Sequence, residues 1–468
     1  MKKTFTFFLI FVLMLSIAAF PVTAEEGITD DASVSMGSHT IDSSLAVLGS
    51  EQLITNARCV LLYETGTDTL LYAWNADERI EPASLVKILT ALIAVENGNL
   101  EDTIVVKEDV LNTIPKSAVK ADIKAGEILT LKDLLHYMMV VSGNDAAAVI
   151  ADHIAGSQEK FVEMMNTYAE QIGCKNTHFT NVTGLHEPDQ YSTARDLGRI
   201  LATAVKNELF CDVFGKVSYR VPKNNISESR YLLSENYLIS GDYVQIYYDG
   251  RIKGSRTAVM EDKTRSVASV ARSNGMEVVC IVIGSASIYE AGSVKVRSFG
   301  GYNETRALYD AAFDGYRPCM LFYEGQVLKL EEVENGDSYV SLGTKTSAST
   351  VLPAGIYAEH LGVQFIHEDT KLRAPIEKGQ MLSKVKYTYG GKCVAQLDLY
   401  AMNSVKAVND TFVIEGQDGG NGAVWKTIII IVSFLLLGIV LFFFTPRILT
   451  RLNIRKNSKN QKSRRNRR

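Results

Sequence analysis

The 468-residue chain has no CxxC pair, no Cys/His ligand spacing, no G-x-S-x-G elbow and no internal repeat. Its six cysteines (Cys59, Cys174, Cys211, Cys280, Cys319, Cys393) are scattered, which supports neither a zinc site nor a dense disulfide framework. No serine therefore sits in a nucleophile elbow. His136, His153 and His178 lie in or beside apolar helical stretches, where packing or solvation is the simpler role. Acids are missing from the last 23 residues: Pro446 to Arg468 carries ten Lys or Arg and no Asp or Glu. With those and Lys2 and Lys3 set aside, 37 basic residues face 53 acids, so the body sits near −16. A nucleic-acid binder carries its cations on the folded domain. An acidic body with a detached basic tail excludes that class. What is present is ordinary globular chemistry, 46% hydrophobic and 22% charged, enough for two or three domains.

The two ends point to a compartment. Residues 1–24 open with Lys2-Lys3, continue through an apolar run from Phe5 to Phe20 and close on Val22-Thr23-Ala24. That pattern reads as a secretory signal. Residues 425–445 form a second apolar run, with Lys426 as its one charge. About 20 residues of helix cross a hydrocarbon core of about 30 Å, so a C-terminal transmembrane helix is expected here. The cations of 446–468 favour a cytoplasmic tail and an exported body.

Between the ends, residues 25–50 read as a polar spacer. From 51 the pattern is globular. Cys59 to Tyr63, a Glu-Thr-Gly-Thr-Asp turn and Thr69 to Tyr72 predict a hairpin. Helical periodicity follows at Leu85 to Ile93, Leu134 to Ile154 and Phe161 to Ile172, and Val267 to Ser287 predicts strands around an Asn274-Gly275 turn. The first domain is expected over 51–318 and a small all-β domain over 319–412. A Gly-rich linker at 413–424 leads to the apolar run.

A serine enzyme without histidine needs another base, and lysine serves when desolvation and a cationic neighbour lower its pKa. Ser-x-x-Lys occurs four times, at Ser84/Lys87, Ser117/Lys120, Ser157/Lys160 and Ser383/Lys386. Ser383 lies in a strand-rich region, Ser157 suits a helix N-cap and Ser117 precedes no apolar helix. Ser84 follows Pro82-Ala83 and opens a strongly apolar helix, which puts Lys87 one turn away on the same face with its ammonium buried. A second polar cluster, Ser142-Gly143-Asn144, is pressed between the apolar run Met138 to Val141 and Asp145-Ala146-Ala147-Ala148. Buried polar groups need partners; here a hydroxyl near Lys87 can relay a proton and an amide can hold a carbonyl.

Ser84-Leu85-Val86-Lys87 and Ser142-Gly143-Asn144 resemble the first two motifs of the penicillin-recognising serine enzymes. Asn75 to Arg79, Leu131 to Leu135, Gly173 to Phe179 and Tyr191 to Asp196 narrow the resemblance to the serine D-Ala-D-Ala carboxypeptidases, the low-molecular-mass penicillin-binding proteins. It runs from about Arg58 to Pro318. The resemblance implies an α/β (α+β) penicillin-binding/β-lactamase-like domain, its antiparallel sheet flanked by helices, with a small β domain and C-terminal attachment behind. It implies peptidoglycan pentapeptide stems as substrate, β-lactams as covalent inhibitors, and neither metal nor cofactor.

The roles carried over are a nucleophile at Ser84, a free-amine base at Lys87 and a proton relay at Ser142, with Asn144 binding substrate. The family's third motif, Lys-Thr/Ser-Gly on a strand, is expected at Lys253-Gly254-Ser255, altered by the inserted Arg251 and by Gly254 at the hydroxyl position. Lys253 then supplies positive potential, and the Arg256 N–H joins that of Ser84 in the oxyanion hole. Arg230, Arg251 and Arg256 are candidates for a compensating carboxylate-binding cation. A damaged third motif also leaves open a catalytically impaired wall-binding or scaffold protein. A β-lactamase is disfavoured by the second domain and the anchor.

Overall fold

The computed structural model describes residues 56–241, 244–260, 262–289, 296–367 and 371–408. The predicted signal (1–24), spacer (25–50), linker (413–424), apolar run (425–445) and basic tail (446–468) lie outside them. Among the described residues no helix is long and apolar enough to cross a membrane.

The hairpin expected at the start is β1 (Cys59–Glu64) and β2 (Thr69–Trp74). Its turn is organised by Glu64, which is 1% exposed. Its carboxylate accepts from the N–H of Gly66, of Thr67 and of Glu277 and from the Thr67 hydroxyl. A 3-10 turn (Ala83–Val86) leads into α1 (Lys87–Asn97). Then come β3 (Thr103–Val105), α2 (Glu108–Asn112), β4 (Ile128–Thr130), α3 (Leu131–Val140), α4 (Asn144–Ala155) and α5 (Gln158–Gln171). Thr130 and Asp133 form a reciprocal capping box that starts α3, and Ser157 caps α5 by accepting from the Lys160 N–H. The chain continues through α6 (Ala194–Ala204), α7 (Glu208–Phe214), β5 (Ser218–Val221) and β6 (Arg230–Leu233). Strands β7 (Ile252–Val259), β8 (Arg265–Ser273) and β9 (Met276–Ser285) complete the sheet, β8 turning into β9 at Asn274-Gly275, both with positive φ. A small hairpin, β10 (Ser287–Tyr289) and β11 (Val296–Phe299), precedes α8 (Gly300–Gly315).

The main sheet has the order β2-β1-β9-β8-β7 and is antiparallel throughout. Its period-2 alternation feeds two cores. Leu61, Ala268 and Ile281 pack under α1, α3, α4 and α6, while Val60, Leu62, Val267 and Cys280 pack against Tyr302, Tyr309 and Phe313 of α8. Helices cover both faces, as the composition of an α/β domain requires. The wholly buried Ala146-Ala147-Ala148 run lets α4 lie in the centre of the helical layer, in contact with α1 and α3. Strand β7 is left as an open edge, and the two Ser-containing motifs converge on it.

The second domain is all β, as its alternating runs predict. Strands β12 (Tyr316–Phe322) and β15 (Ala348–Pro353) pair. The others are β13 (Val327–Glu331), β14 (Val340–Gly343), β16 (Gly362–His367), β17 (Met381–Tyr389) and β18 (Lys392–Ala401). They form a five-stranded sheet, order β13-β14-β18-β17-β16, over a core that includes Phe322, Leu342, Val385 and Leu399.

Glu64→Ala removes the buried acceptor shared by backbone donors of both the β1–β2 turn and β9. It should destabilise the protein by about 1–3 kcal/mol, read as a lower denaturant midpoint at unchanged m-value.

Candidate active site

Ser84 sits on the 3-10 turn, where side chains at i and i+3 eclipse, so Lys87 stacks directly beyond it at the start of α1. The turn is entered through Ala83 at φ 43°, a conformation that costs a non-glycine residue about 1–3 kcal/mol. Gly184 holds it there. With φ +80° it brings its backbone so close that a Cβ would lie 1.8 Å from the Ala83 carbonyl oxygen.

Lys87 is 0% exposed. Its Nζ donates to Asn144 Oδ1 at 2.7 Å and to the Thr183 carbonyl at 2.5 Å. Burial holds its pKa well below the ordinary lysine value; the neighbouring Arg256 charge lowers it further, and Asp145 opposes. A neutral amine has two N–H donors and one lone pair. Both donors have acceptors, which leaves the lone pair to accept a proton. The Ser84 hydroxyl is half-buried and makes no hydrogen bond among the described residues, so the direct Ser84–Lys87 bond is not formed here. Catalytic hydrogen bonds often tighten only once substrate is bound.

Ser142 occupies the break between α3 and α4 and is also strained, at φ 63°. Asn144 begins α4, 5% exposed, with its amide oxygen on Lys87. The next residue, Asp145, is 3% exposed and accepts from the N–H groups of Ala121 and Ile123. It thereby ties the 119–123 loop to the start of α4, a role the sequence reading did not assign.

The third motif is where the structure corrects the expectation. Lys253 is the extra residue of a bulge between Ile252 and Gly254, is exposed, and donates to the Gly250 carbonyl at 2.9 Å. Gly254 is packed against α7, where a Cβ would meet Phe214 at 2.3 Å, and the Ser255 hydroxyl is buried without a partner. Among the described residues none of the three forms a hydrogen bond with Ser84, Lys87 or Ser142. Arg256 does. It is 4% exposed, donates from Nη2 to Ser142 Oγ at 2.6 Å, from Nη1 to the carbonyls of Met138 and Met139, and from Nε to the Ser84 carbonyl at 3.3 Å. Burial lowers its pKa to about 10, so it remains charged at neutral pH.

The bulge is the physical reason. One extra residue reverses which side chains of β7 face the helical layer, so Arg256 and Ala258 point to the motifs and Ser255 does not. The backbone alternates as well. Ser255 C=O faces the open edge, where it accepts from Asn236 Nδ2, and Met260 N–H faces inward, bonded to Thr264. By alternation Thr257 and Val259 present their N–H groups outward, while that of Arg256 faces β8. The oxyanion donor expected at Arg256 is therefore not available there.

The other candidate cations are committed elsewhere. Arg251 is bound to Asp249 and Asp310, which raise its pKa, and Arg230 is paired with the buried Glu127 over the Tyr137 ring. The histidines are structural in their contacts. His136 Nδ1 bonds the Lys132 carbonyl and its ring stacks on Tyr219, His153 meets Asp102, and His178 bridges to Tyr191. Gly184→Ala should displace the Ala83–Ser84 backbone and cost about 1–3 kcal/mol, measured as a fall in denaturant midpoint.

A family model described as D-alanyl-D-alanine carboxypeptidase matches residues 47–287, and one described as penicillin-binding protein 5, C-terminal domain, matches 316–407. D-alanyl-D-alanine carboxypeptidase DacA of Haemophilus influenzae is 28% identical over 383 residues, covering 81% of this chain and 90% of the relative. DacF of Bacillus subtilis is 27% identical over 362 residues, covering 76% and 88%. The crystal structure of penicillin-binding protein 5 from Haemophilus influenzae aligns with a TM-score of 0.64 at 27% identity, over 76% of this chain and all of that one. With the first family model covering half the chain and the motifs gathered at one sheet edge, the protein belongs to the D-alanyl-D-alanine carboxypeptidase family, the low-molecular-mass penicillin-binding serine hydrolases.

Proposed function

We propose that this chain removes the terminal D-alanine from peptidoglycan pentapeptide stems through an acyl-enzyme on Ser84. The observation that carries the reading is the state of Lys87: a wholly buried amine, two acceptors on its two N–H groups, and a cation beside it. Lys87 takes the Ser84 proton as the hydroxyl oxygen attacks the penultimate D-alanine carbonyl. The oxyanion is received by the N–H groups of Ser84 and, in place of Arg256, Val259, each worth about 3–4 kcal/mol. Ser142 passes the proton to the departing D-alanine nitrogen as the C–N bond breaks. Water then attacks the ester, Lys87 takes its proton, and Ser84 is regenerated as the shortened stem leaves.

The third-motif role falls to Arg256-Thr257-Ala258. Arg256 supplies the positive potential once given to Lys253. Thr257, the next residue, carries the hydroxyl that Gly254 lacks, on a peptide unit that faces the open edge. The alternative of a catalytically impaired scaffold draws on Lys253-Gly254-Ser255; a cation on Ser142 Oγ at 2.6 Å supports the catalytic reading. The signal pattern at 1–24, the apolar run at 425–445 and the cations at 446–468 support an exported domain held at the membrane by a C-terminal helix.

Fluorescent penicillin should label wild type and not Ser84→Ala; an unlabelled wild type at saturating penicillin excludes acylation. The pH profile of labelling tests Lys87. Acylation needs its neutral form, so the rate rises as pH climbs through its pKa. Arg256→Gln removes a charge that lowers this pKa and should move the profile to higher pH. At pH values below the midpoint the rate then falls about tenfold per unit moved. Arg256→Lys should hold the midpoint near wild type.

A further inference from the structure

Lys87 and Thr90 lie one turn apart on α1, and both reach the same stretch of chain. Lys87 Nζ donates to the Thr183 carbonyl at 2.5 Å and Thr90 Oγ1 to the Val182 carbonyl at 2.9 Å. Successive carbonyls of an extended chain point to opposite sides; here two in a row face α1. The cause stands behind them. A peptide unit is planar and trans, so its N–H points away from its C=O and holding one end fixes the other. The N–H ends of these two units belong to Thr183 and Gly184, and both donate to Oδ1 of Asn181, at 3.2 and 2.7 Å. The Thr183 hydroxyl donates to the same oxygen at 3.0 Å, and Asn181 Nδ2 donates to the Leu185 carbonyl at 2.9 Å. One side chain thus grips this Asx turn on its N–H side.

Building on the acyl-enzyme reading above, we infer that Asn181 is a positioning residue for the general base: it aims the Thr183 carbonyl at Lys87, so that one N–H of the amine is taken and its lone pair stays free for the Ser84 proton. Asn144 Oδ1 occupies the other N–H. The rest of the loop is fastened without Asn181. Asn166 of α5 binds both backbone groups of Phe179. Gln190, 3% exposed, accepts from the Thr180 and Asn181 N–H groups and donates to the Leu185 carbonyl. Among the described residues neither of these amides bonds the peptide unit that meets Lys87. The charges acting on Lys87 there are Arg256 of β7 and Asp145 of α4, and residues 181–184 carry none. The Thr183 carbonyl acts as an oriented dipole, and such an acceptor favours the ammonium over the neutral amine. Its loss therefore lowers the pKa of Lys87. A merely loosened loop does the opposite, because admitted water raises the pKa toward the ordinary lysine value.

The test follows the rate constant of benzylpenicillin acylation against pH on the purified full chain, reading the high-pH plateau and the midpoint. Asn181→Ala should lower the plateau about tenfold or more. Its midpoint should move about one pH unit downward, opposite to the shift expected of Arg256→Gln. Asn181→Asp keeps an oxygen for the two N–H groups and should hold the plateau within about threefold of wild type. Asn166→Ala removes two hydrogen bonds from the same loop and should leave both quantities within about threefold or a few tenths of a pH unit. Asn181→Ser, whose shorter side chain still makes the weaker form of such a turn, should change both in the alanine direction and serves if the alanine variant does not fold. A plateau that is unchanged, a midpoint that stays or rises, an equal change in Asn166→Ala, or an aspartate variant as slow as the alanine one overturns the inference. A wild type that penicillin does not acylate refutes the acyl-enzyme reading instead.

Discussion

Two basic side chains share one dry site, and the rest of the arrangement follows from how they are kept there. Lys87 and Arg256 are both almost wholly removed from water, and the guanidinium charge falls on the amine. Two buried positive charges cannot both persist without anions to neutralise them. The guanidinium, which holds its proton far more tightly, remains charged; the amine's pKa is driven well below the ordinary lysine value, against the opposing charge of Asp145. Arg256 is tolerated because four acceptors surround it: two carbonyls at the end of α3, the Ser142 hydroxyl and the Ser84 carbonyl. The same bonds that solvate the charge also fix the two strained serine-bearing turns relative to each other.

That coupling explains why the fold places so much of its irregularity at one sheet edge. Ala83 and Ser142 both occupy positive φ, and each is held from outside, Ala83 by the backbone of Gly184 and Ser142 by the Arg256 fork. The bulge at Lys253 turns Arg256 inward, and the Asn236 amide donates to the Ser255 carbonyl. Strain and bulge lie along a few residues of β7 and the turns facing it. The regular parts of the fold, the two cores on either side of the sheet, supply the rigidity that makes such positions sustainable.

Much of this was legible in the sequence. The hairpin at Cys59, the helices at Leu85, Leu134 and Phe161 and the β character of the second domain follow from period and turn chemistry, and they are where the patterns place them. The placement of Lys87 beside Asn144, one turn beyond Ser84, was legible because short motifs on helix starts keep their geometry when read linearly. Lys253-Gly254-Ser255 failed for the opposite reason. A strand motif is defined by which residues share a face, and a single bulged residue reverses that assignment without leaving a mark in composition. Alternation read backward from the well-patterned Val267 to Ser273 strand would have found it, since Arg256 stands opposite Ala268. The Thr183 carbonyl and the Asn236 amide act through the backbone of distant segments, and no linear spacing reports such contacts.

The most direct measurement is the protonation state of Lys87 itself. Lysine labelled with 13C at Cε, assigned by comparison with Lys87→Arg, reports titration of a single amine by its chemical shift. The account predicts a resonance of the neutral form at pH 7 and a titration well below that of the surface lysines. A Lys87 signal that remains that of an ammonium up to about pH 10 would contradict it.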